Sequence, residues 1–131
     1  HNCSSLSQIS FPSSVKSIGN LNFSGCSSLT QISIPTSVKL IGDCGFSGCS
    51  SLTQISIPSS LTSLLNHIFY KCSSLTQISI PSSVKSIGCF SFSMWTSLTQ
   101  IKIPSLVTLK QCFLWMFIVD TNRNSFFCDF D

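Results

Sequence analysis

The chain has 131 residues, enough for one compact domain or a short run of stacked repeats. Hydrophobic residues make up 43% of it and charged residues only 8%, well below the roughly one quarter that is usual in soluble domains. The net charge of +3 is small, and no basic run is interleaved with aromatic residues, so the composition argues against a nucleic-acid partner. The longest apolar run, 112–119, is about half the length that crosses a bilayer, so we expect no membrane span in this segment.

A unit of about 23 residues, counted from one repeat cysteine to the next, recurs along the chain. Cys3, Cys26, Cys49 and Cys72 are evenly spaced, and Trp95 takes the next equivalent position. The four cysteines open Cys-Ser-Ser-Leu, and the fifth unit opens Trp-Thr-Ser-Leu. Apolar residues recur at fixed offsets, which in the second unit are Leu29, Ile32, Ile34, Val38, Ile41 and Phe46. Such a period is the signature of a solenoid, in which each circuit of the chain (a rung) stacks on the one before.

The first part of each unit predicts a short strand. In the second unit, Leu29-Thr-Gln-Ile32-Ser-Ile34 alternates apolar and polar residues toward its end, the pattern of a half-buried strand. Pro35 ends this strand because it has no amide hydrogen to donate. A strand this short is not stable alone, but equivalent strands stacked ~4.8 Å apart form a parallel sheet.

The second part of each unit predicts a return turn. Val38 and Ile41 bring the chain inward again as a second short strand. Gly42 permits a sharp bend, Asp43 can cap a helical turn, and Gly48 can close it with a positive φ. The sequence therefore predicts a β-rich, right-handed coil, with a parallel sheet on a concave face and short strands and short helical turns on the convex side.

The full unit resembles the BspA-type leucine-rich repeat family. The resemblance covers about residues 1–105 and lies in the Leu-x-x-Ile-x-Ile core, the segment Ile-Pro-Ser-Ser-Val-Lys-Ser-Ile-Gly and the ending Phe-Ser-Gly-Cys. It implies a leucine-rich-repeat solenoid and a cell-surface or secreted protein with a role in adhesion.

Some positions depart from the family pattern. The family usually has a small residue, often alanine, just before the repeat Phe. This chain has Asn22, Gly45, Ile68 and Ser91 there. The third unit also has Leu64-Leu65 in place of Ile-Gly. We expect this rung to be the least regular.

Eight cysteines raise the alternatives of disulfides, metal ligands and buried thiols. Repeat cysteines on adjacent rungs lie within disulfide reach in principle. A free cysteine also packs as a small apolar residue inside a tight turn, and the spacing of the Cys and His residues does not match a zinc site. We therefore expect buried thiols and no metal.

Catalytic chemistry has little support in the sequence. His67 would need a carboxylate or thiol partner, but three of the four acidic residues lie after residue 119. The serines form no nucleophile elbow, and the sequence contains no phosphate-binding glycine loop. We expect no enzyme activity and no cofactor.

The outward face of the stacked strands is the predicted binding surface. Period-two alternation exposes one column of glutamines and a neighbouring column of serines that ends in a lysine. These residues are Gln8, Ser10, Gln31, Ser33, Gln54, Ser56, Gln77, Ser79, Gln100 and Lys102. The columns have two compatible interpretations: glutamine amides that bond to one another along the stack, and an extended surface for a protein or glycan ligand.

The repeat pattern weakens after Pro104. We expect the array to occupy residues 1–117, with a degenerate, cap-like last repeat, and residues 118–131 to form a C-terminal tail. We expect Phe113–Val119 to fold over the last rung. The regular first rung suggests that the chain is a piece of a longer array, and exposed solenoid ends favour self-association.

Three hypotheses about function follow. The first is a non-catalytic protein-interaction or adhesion module of a cell-surface leucine-rich repeat protein. The second is a cytoplasmic scaffold of the same fold that binds a protein partner, which reduced cysteines would favour. The third is a purely structural or ice-surface ladder, which columns of Gln and Ser do not favour.

Overall fold

The computed structural model describes residues 3–109 and 127–130. Six strands belong to the first half of successive units: β1 (Gln8–Ile9), β3 (Gln31–Ser33), β5 (Gln54–Ser56), β7 (Gln77–Ser79), β9 (Gln100–Ile103) and β11 (Phe127–Phe130). Five belong to the second half: β2 (Ser17–Ile18), β4 (Leu40–Ile41), β6 (Ser63–Leu64), β8 (Ser86–Ile87) and β10 (Thr108–Leu109). The chain is a parallel β-solenoid, as the repeat predicts.

Strands pair in parallel with their equivalents in neighbouring units, except between β4 and β6 and between β5 and β7. Gln31 lies opposite Gln8 on one side and Gln54 on the other, so paired strands are offset by one repeat length. The same register joins β7 to β9, whereas Thr108 of β10 pairs with Ser86 of β8, one residue short of a full repeat length. Parallel pairing in this register places identical side chains in columns, one per rung.

The core is built from the apolar positions of the repeat. Leu29, Val38, Phe46 and their equivalents in the third and fourth units are fully buried. The repeat phenylalanines stack face to face, with ring centroids 5.4 Å apart for Phe23 and Phe46, and 6.0 Å for Phe46 and Phe69. Stacked identical rings fill the interior at a regular height, so the core is continuous from rung to rung.

Within the described residues, the segment that closes each rung after its second strand consists of turns and contains no helix. The amide of Gly45 donates to the carbonyl of Gly42, and that of Ser47 donates to the carbonyl of Cys44. Asp43 caps no helix, because its carboxylate accepts from the amide of Asn66 on the next rung at 2.9 Å. The predicted cap within its own rung is therefore wrong, and Asp43 links two rungs instead.

Gly48 has the positive φ that the sequence predicts, at 75°. Its equivalent Gly25 has φ of 76°, whereas the third and fourth rungs have Lys71 (61°) and Met94 (64°) at this position. Side chains with a Cβ are disfavoured in this conformation by roughly 1 kcal/mol or more. The two later rungs therefore hold strain that the two earlier ones avoid.

We expect Lys71→Gly to raise the free energy of unfolding by about 1 kcal/mol, because it relieves this strain. The measurement is a urea unfolding curve followed by circular dichroism. Lys39→Gly is the control, since Lys39 is an exposed lysine whose φ is not positive. Glycine should destabilise the chain at this position. A loss of stability in both variants would contradict the strain argument.

Both interruptions of the sheets involve the third rung. The strands β4 and β6 belong to separate sheets, and so do β5 and β7, although β5 and β7 lie side by side. On one side the cause is Leu65, which stands where the other rungs have Gly19, Gly42 and Gly88. A Cβ on Gly42 would lie 2.8 Å from the backbone carbon of Gly19, so a leucine here requires the previous rung to stand further away. The expectation of an irregular third rung is confirmed.

The strand β11 extends the sheet of β7 and β9 beyond the regular units. It pairs with β9 in parallel, with Phe127 opposite Gln100 and Phe130 opposite Ile103. Part of the segment assigned to a tail, 118–131, is thus a strand of the sheet. The predicted boundary at residue 117 and the predicted cap Phe113–Val119 lie outside the described residues.

Candidate binding groove

A groove of about 870 Å³ runs along the outward face of β1, β3, β5, β7 and β9, and we call it the ladder groove. Nine of the ten predicted binding residues line it, and Ser10 lies one residue beyond β1. The remaining lining residues are Ile9, Ile32, Thr53, Ile55, Thr76 and Ile78. The structure therefore brings the two predicted columns together on one surface.

Alternation along each strand positions the side chains of the ladder groove. In β7, Gln77 and Ser79 are exposed while Ile78 between them is buried. The same pattern holds in β3, where Ile32 is buried between Gln31 and Ser33. The second, third and fourth rungs therefore each contribute one exposed Gln–Ser pair to the groove.

Threonine hydroxyls, and not glutamine amides, form the side-chain bonds between rungs beside the groove. Thr53 donates from Oγ1 to the carbonyl of Thr30 at 3.1 Å, and Thr99 donates to the carbonyl of Thr76 at 2.9 Å. Within residues 3–109, the side chains of Gln31, Gln54 and Gln77 make no hydrogen bond. The interpretation of the glutamine column as an amide ladder is wrong for these rungs.

Thr53 and Thr76 are groove residues that sequence reasoning missed. Both are exposed and directly precede a predicted glutamine. The signal was present, because Leu-Thr-Gln recurs in four of the five units. Threonine also lies outside the strict alternation, at the point where the chain enters the strand.

Lys102, at one end, is the one lining residue of the described groove that carries a charge. Apart from it, the lining is amide, hydroxyl and aliphatic, so an incoming ligand meets hydrogen-bonding groups and little electrostatic field. Within the described residues, the lining of the groove has no carboxylate, imidazole or thiol.

The repeat cysteines form a column in the interior. Cys3, Cys26, Cys44, Cys49 and Cys72 are free thiols. Cys49 donates from Sγ to the carbonyl of Phe23, and Cys72 donates to the carbonyl of Phe46, each at 3.3 Å. Trp95 keeps this arrangement with its indole N–H, which donates to the carbonyl of Phe69 at 2.5 Å. Cys49 and Cys72 are buried structural donors, as expected, whereas Cys89 is disulfide-bonded and departs from that expectation.

Burial makes the interior thiols weak acids. It raises the pKa of Cys49 to about 12, and the neighbouring Cys26 adds to the shift. Burial likewise raises the pKa of Cys72. The Cys49 thiol loses its proton near pH 9.0 in the unfolded chain but keeps it up to about pH 12 in the folded chain, so the free energy of unfolding falls as pH rises through this window.

We expect the urea midpoint to fall as the pH is raised above about 9, and the double variant Cys49→Ala, Cys72→Ala to lose part of that dependence. Urea unfolding at a series of pH values, under reducing conditions, measures it. An unchanged slope in the double variant would show that other groups cause the dependence.

His67 packs among aromatic side chains. Its ring stacks on Phe90 with centroids 5.2 Å apart and meets Tyr70 edge-on at 5.6 Å. In the part of the chain that the structure describes, no cluster of His, Cys, Asp and Glu is fit to hold a metal ion. His67 therefore belongs to an aromatic cluster with Tyr70 and Phe90 and does not line the ladder groove.

The family model described as the BspA type leucine rich repeat region matches residues 1–115 in six copies. The chain belongs to this family. Leucine-rich repeat proteins are generally non-catalytic binding modules, which agrees with a groove made of neutral polar columns.

Solved structures of bacterial leucine-rich repeat proteins share the fold. A leucine rich cell surface protein from Faecalibacterium prausnitzii A2-165 is 28% identical, with a TM-score of 0.84 over 95% of this chain and 32% of that one. A leucine rich repeat protein of T. pallidum is 34% identical, with a TM-score of 0.74 over 79% of this chain and 50% of that one. A third, from Bacteroides ovatus ATCC 8483, is 30% identical with a TM-score of 0.56 over 82% and 40%. The chain thus spans between about a third and a half of the length of these proteins.

No curated protein sequence matches the chain. Within the described residues, no helix has the length and apolarity that a membrane span requires.

Proposed function

We propose that the chain is a non-catalytic interaction and adhesion module of a cell-surface leucine-rich repeat protein, and that a protein or glycan ligand binds in the ladder groove. The observation that carries this proposal is the groove itself. Nine predicted polar residues line it, and the amides of Gln31, Gln54 and Gln77 have no partner within residues 3–109. Amides that the fold does not use are available to a ligand.

Two observations support a surface location. The similar protein from Faecalibacterium prausnitzii is described as a cell surface protein. In this chain Cys89 is disulfide-bonded, and structural disulfides persist in oxidising compartments. Antibodies against the chain should therefore stain intact, unpermeabilised cells of the native source, whereas staining only after permeabilisation would contradict a surface role.

The groove is tested by binding of the purified chain to intact cells or matrix. We expect the triple variant Gln31→Ala, Gln54→Ala, Gln77→Ala to lose most of this binding while keeping its unfolding midpoint. The matched control is Ser13→Ala, Thr36→Ala, Ser59→Ala, which changes three exposed residues of another column, outside the groove. Equal binding by both variants would place the ligand elsewhere.

A cytoplasmic scaffold is the second candidate, and the five free thiols favour it. The two candidates differ in the redox state of Cys89 in the native protein. The native source material is treated with an alkylating reagent before lysis, and the protein is then analysed by mass spectrometry. In a surface protein Cys89 should be held in a disulfide and carry no alkyl group, whereas in a cytoplasmic protein it should be a thiol that reacts with the reagent once the protein unfolds.

Self-association is a further part of the proposal. On the first rung Leu6, Ile9, Phe11 and Val15 are only partly buried, although their equivalents in the second rung are buried. Partly exposed apolar residues that lie close together favour contact with another copy. Sedimentation at increasing concentration should show association, and Phe11→Asp should reduce it.

A further inference from the structure

We propose that the ladder groove binds an uncharged, linear polysaccharide of β-1,4-linked hexoses that lies along the solenoid axis with one sugar per rung. This inference rests on the proposed function and narrows its ligand to one chemical class. It is carried by the unused hydrogen-bonding groups of the groove, by their spacing and by the near absence of charge.

The second, third and fourth rungs offer the same donors and acceptors to the groove. A glutamine amide provides two N–H donors and a carbonyl acceptor, and a serine hydroxyl provides one donor and accepts as well. In the structure, Gln31, Gln54 and Gln77 and the serines beside them are exposed and make no side-chain hydrogen bond. The hydroxyl groups of a sugar, which both donate and accept, match this set.

The spacing favours a ligand that repeats. In-register pairing of Gln8 with Gln31 and of Gln31 with Gln54 places the amides one strand spacing apart, ~4.8 Å. Sugars in an extended β-1,4-linked chain advance by about this distance, so successive sugars meet successive rungs along β1, β3 and β5 and again along β7 and β9. An extended peptide advances ~3.3 Å per residue and loses register with the rungs.

The charge of the groove selects an uncharged ligand. From Gln8 to Gln100 the described lining has no ionised side chain, and Lys102 stands at one end. An anionic polymer would find a single cation along the whole groove, which is too little to offset the desolvation of several acidic groups. Neutral hydroxyls meet neutral amides without this cost.

A folded protein partner is less well served by this surface. Protein interfaces depend on a few buried aromatic or arginine anchors that fill pockets. The described lining of the groove has no aromatic side chain, and Ile32 and Ile78 between the polar columns are only 5% and 4% exposed. The surface is an array of weak, equal contacts, which gains affinity only when a ligand engages many rungs together.

The length of the groove sets the expected length dependence. Glutamines line it on five rungs, from Gln8 to Gln100. Affinity should therefore increase with oligosaccharide length up to about five sugars and change little beyond that, because further sugars extend past the described groove.

The experiment is titration calorimetry of the purified chain with cello-oligosaccharides from the dimer to the octamer, and with hydroxyethylcellulose and polygalacturonate as neutral and anionic polymers. We expect binding of the neutral ligands with a plateau near the pentamer. Affinity should not change between about 0.1 M and 1 M salt, although the Debye length falls from ~10 Å to ~3 Å. The double variant Gln54→Ala, Gln77→Ala should weaken binding about tenfold, and Ser59→Ala, Ser82→Ala should leave it unchanged. Both variants should keep the unfolding midpoint of the parent chain.

Preference for polygalacturonate, or loss of binding at high salt, would overturn the neutral-ligand proposal. A failure to bind any of these glycans would also overturn it. If cell binding is nevertheless lost in the glutamine triple variant, the proposed function stands with a protein ligand. If glycan binding is unaffected by the glutamine variants, the ladder groove is not the site, and the proposed function loses its carrying observation.

Discussion

Replacing Phe69 with alanine is expected to lower the free energy of unfolding by about 4 kcal/mol, because the variant leaves a large cavity in the middle of the core. Phe69 is fully buried. Its ring stacks on Phe46 at 6.0 Å and on Phe92 at 6.2 Å, and it meets Trp95 edge-on at 6.4 Å. The stability of a solenoid is the sum of its rungs and the interfaces between them, so one ring contributes to two interfaces. Urea unfolding followed by circular dichroism measures the loss.

Phe11→Ala is the control for this prediction. Phe11 is only partly buried, and its ring meets Phe23 edge-on at 5.6 Å. We expect about half the loss or less, since less apolar surface returns to water and solvent can fill the space. Equal losses in the two variants would show that the phenylalanine column does not act as a continuous core.

The sequence predicted most of the fold because the fold depends on period. Alternation of residues such as Gln77, Ile78 and Ser79 predicts which side chains point outward, and the structure agrees. The constant repeat length predicts the register of the sheets, which pairs Gln8 with Gln31. Both properties are local or strictly periodic, so a single chain carries them in full.

Features that depend on contacts between rungs could not be predicted in this way. Asp43 looks like a helix cap in its own unit, but its partner is the amide of Asn66, one rung away. The strand β11 escaped a search at the repeat period because Phe127 lies more than one repeat length beyond its partner Gln100. Its sequence, Phe-Cys-Asp-Phe, also lacks the Leu-Thr-Gln found where β3, β5, β7 and β9 begin.

The candidate groove was predicted in position but not in bonding. Gln and Thr are both polar and exposed, so pattern alone does not decide which of them bonds to the neighbouring rung. The structure decides for threonine, because its short side chain places Oγ1 within reach of the carbonyl of the previous rung, as Thr53 does for Thr30 at 3.1 Å. The longer glutamine side chain extends past the backbone into the groove. This difference in reach is what leaves the amides available to a ligand.

Replacing Gly42 with alanine is expected to lower the free energy of unfolding by about 3 kcal/mol, the upper end of the usual cost of overpacking. The added Cβ would lie 2.1 Å from the side-chain Oδ1 of Asn20, 2.6 Å from the backbone nitrogen of Asn20 and 2.8 Å from the backbone carbonyl carbon of Gly19. The backbone atoms cannot move aside without separating two rungs. Gly42 thus serves close approach of the chain, and not the sharp bend that the sequence suggested, since the positive-φ glycines are Gly25 and Gly48. A urea unfolding curve of the variant measures the cost.

Gly19→Ala is the matched control, at the same repeat position one rung earlier. There the nearest atom to an added Cβ is Oδ1 of Asn22 at 3.4 Å, the end of a side chain, so we expect a change within about 0.5 kcal/mol. The third rung shows what the chain does when this position is occupied: with Leu65 in place of glycine, the strands β4 and β6 lie in separate sheets. The Gly42 variant should accordingly lose the β2–β4 pairing, which amide hydrogen exchange at Leu40 and Ile41 would report. If stability falls while protection at these amides is unchanged, the collision between rungs is not the cause. If Gly19→Ala costs as much as Gly42→Ala, the position needs glycine for its own conformation, and the account of the third rung fails with it.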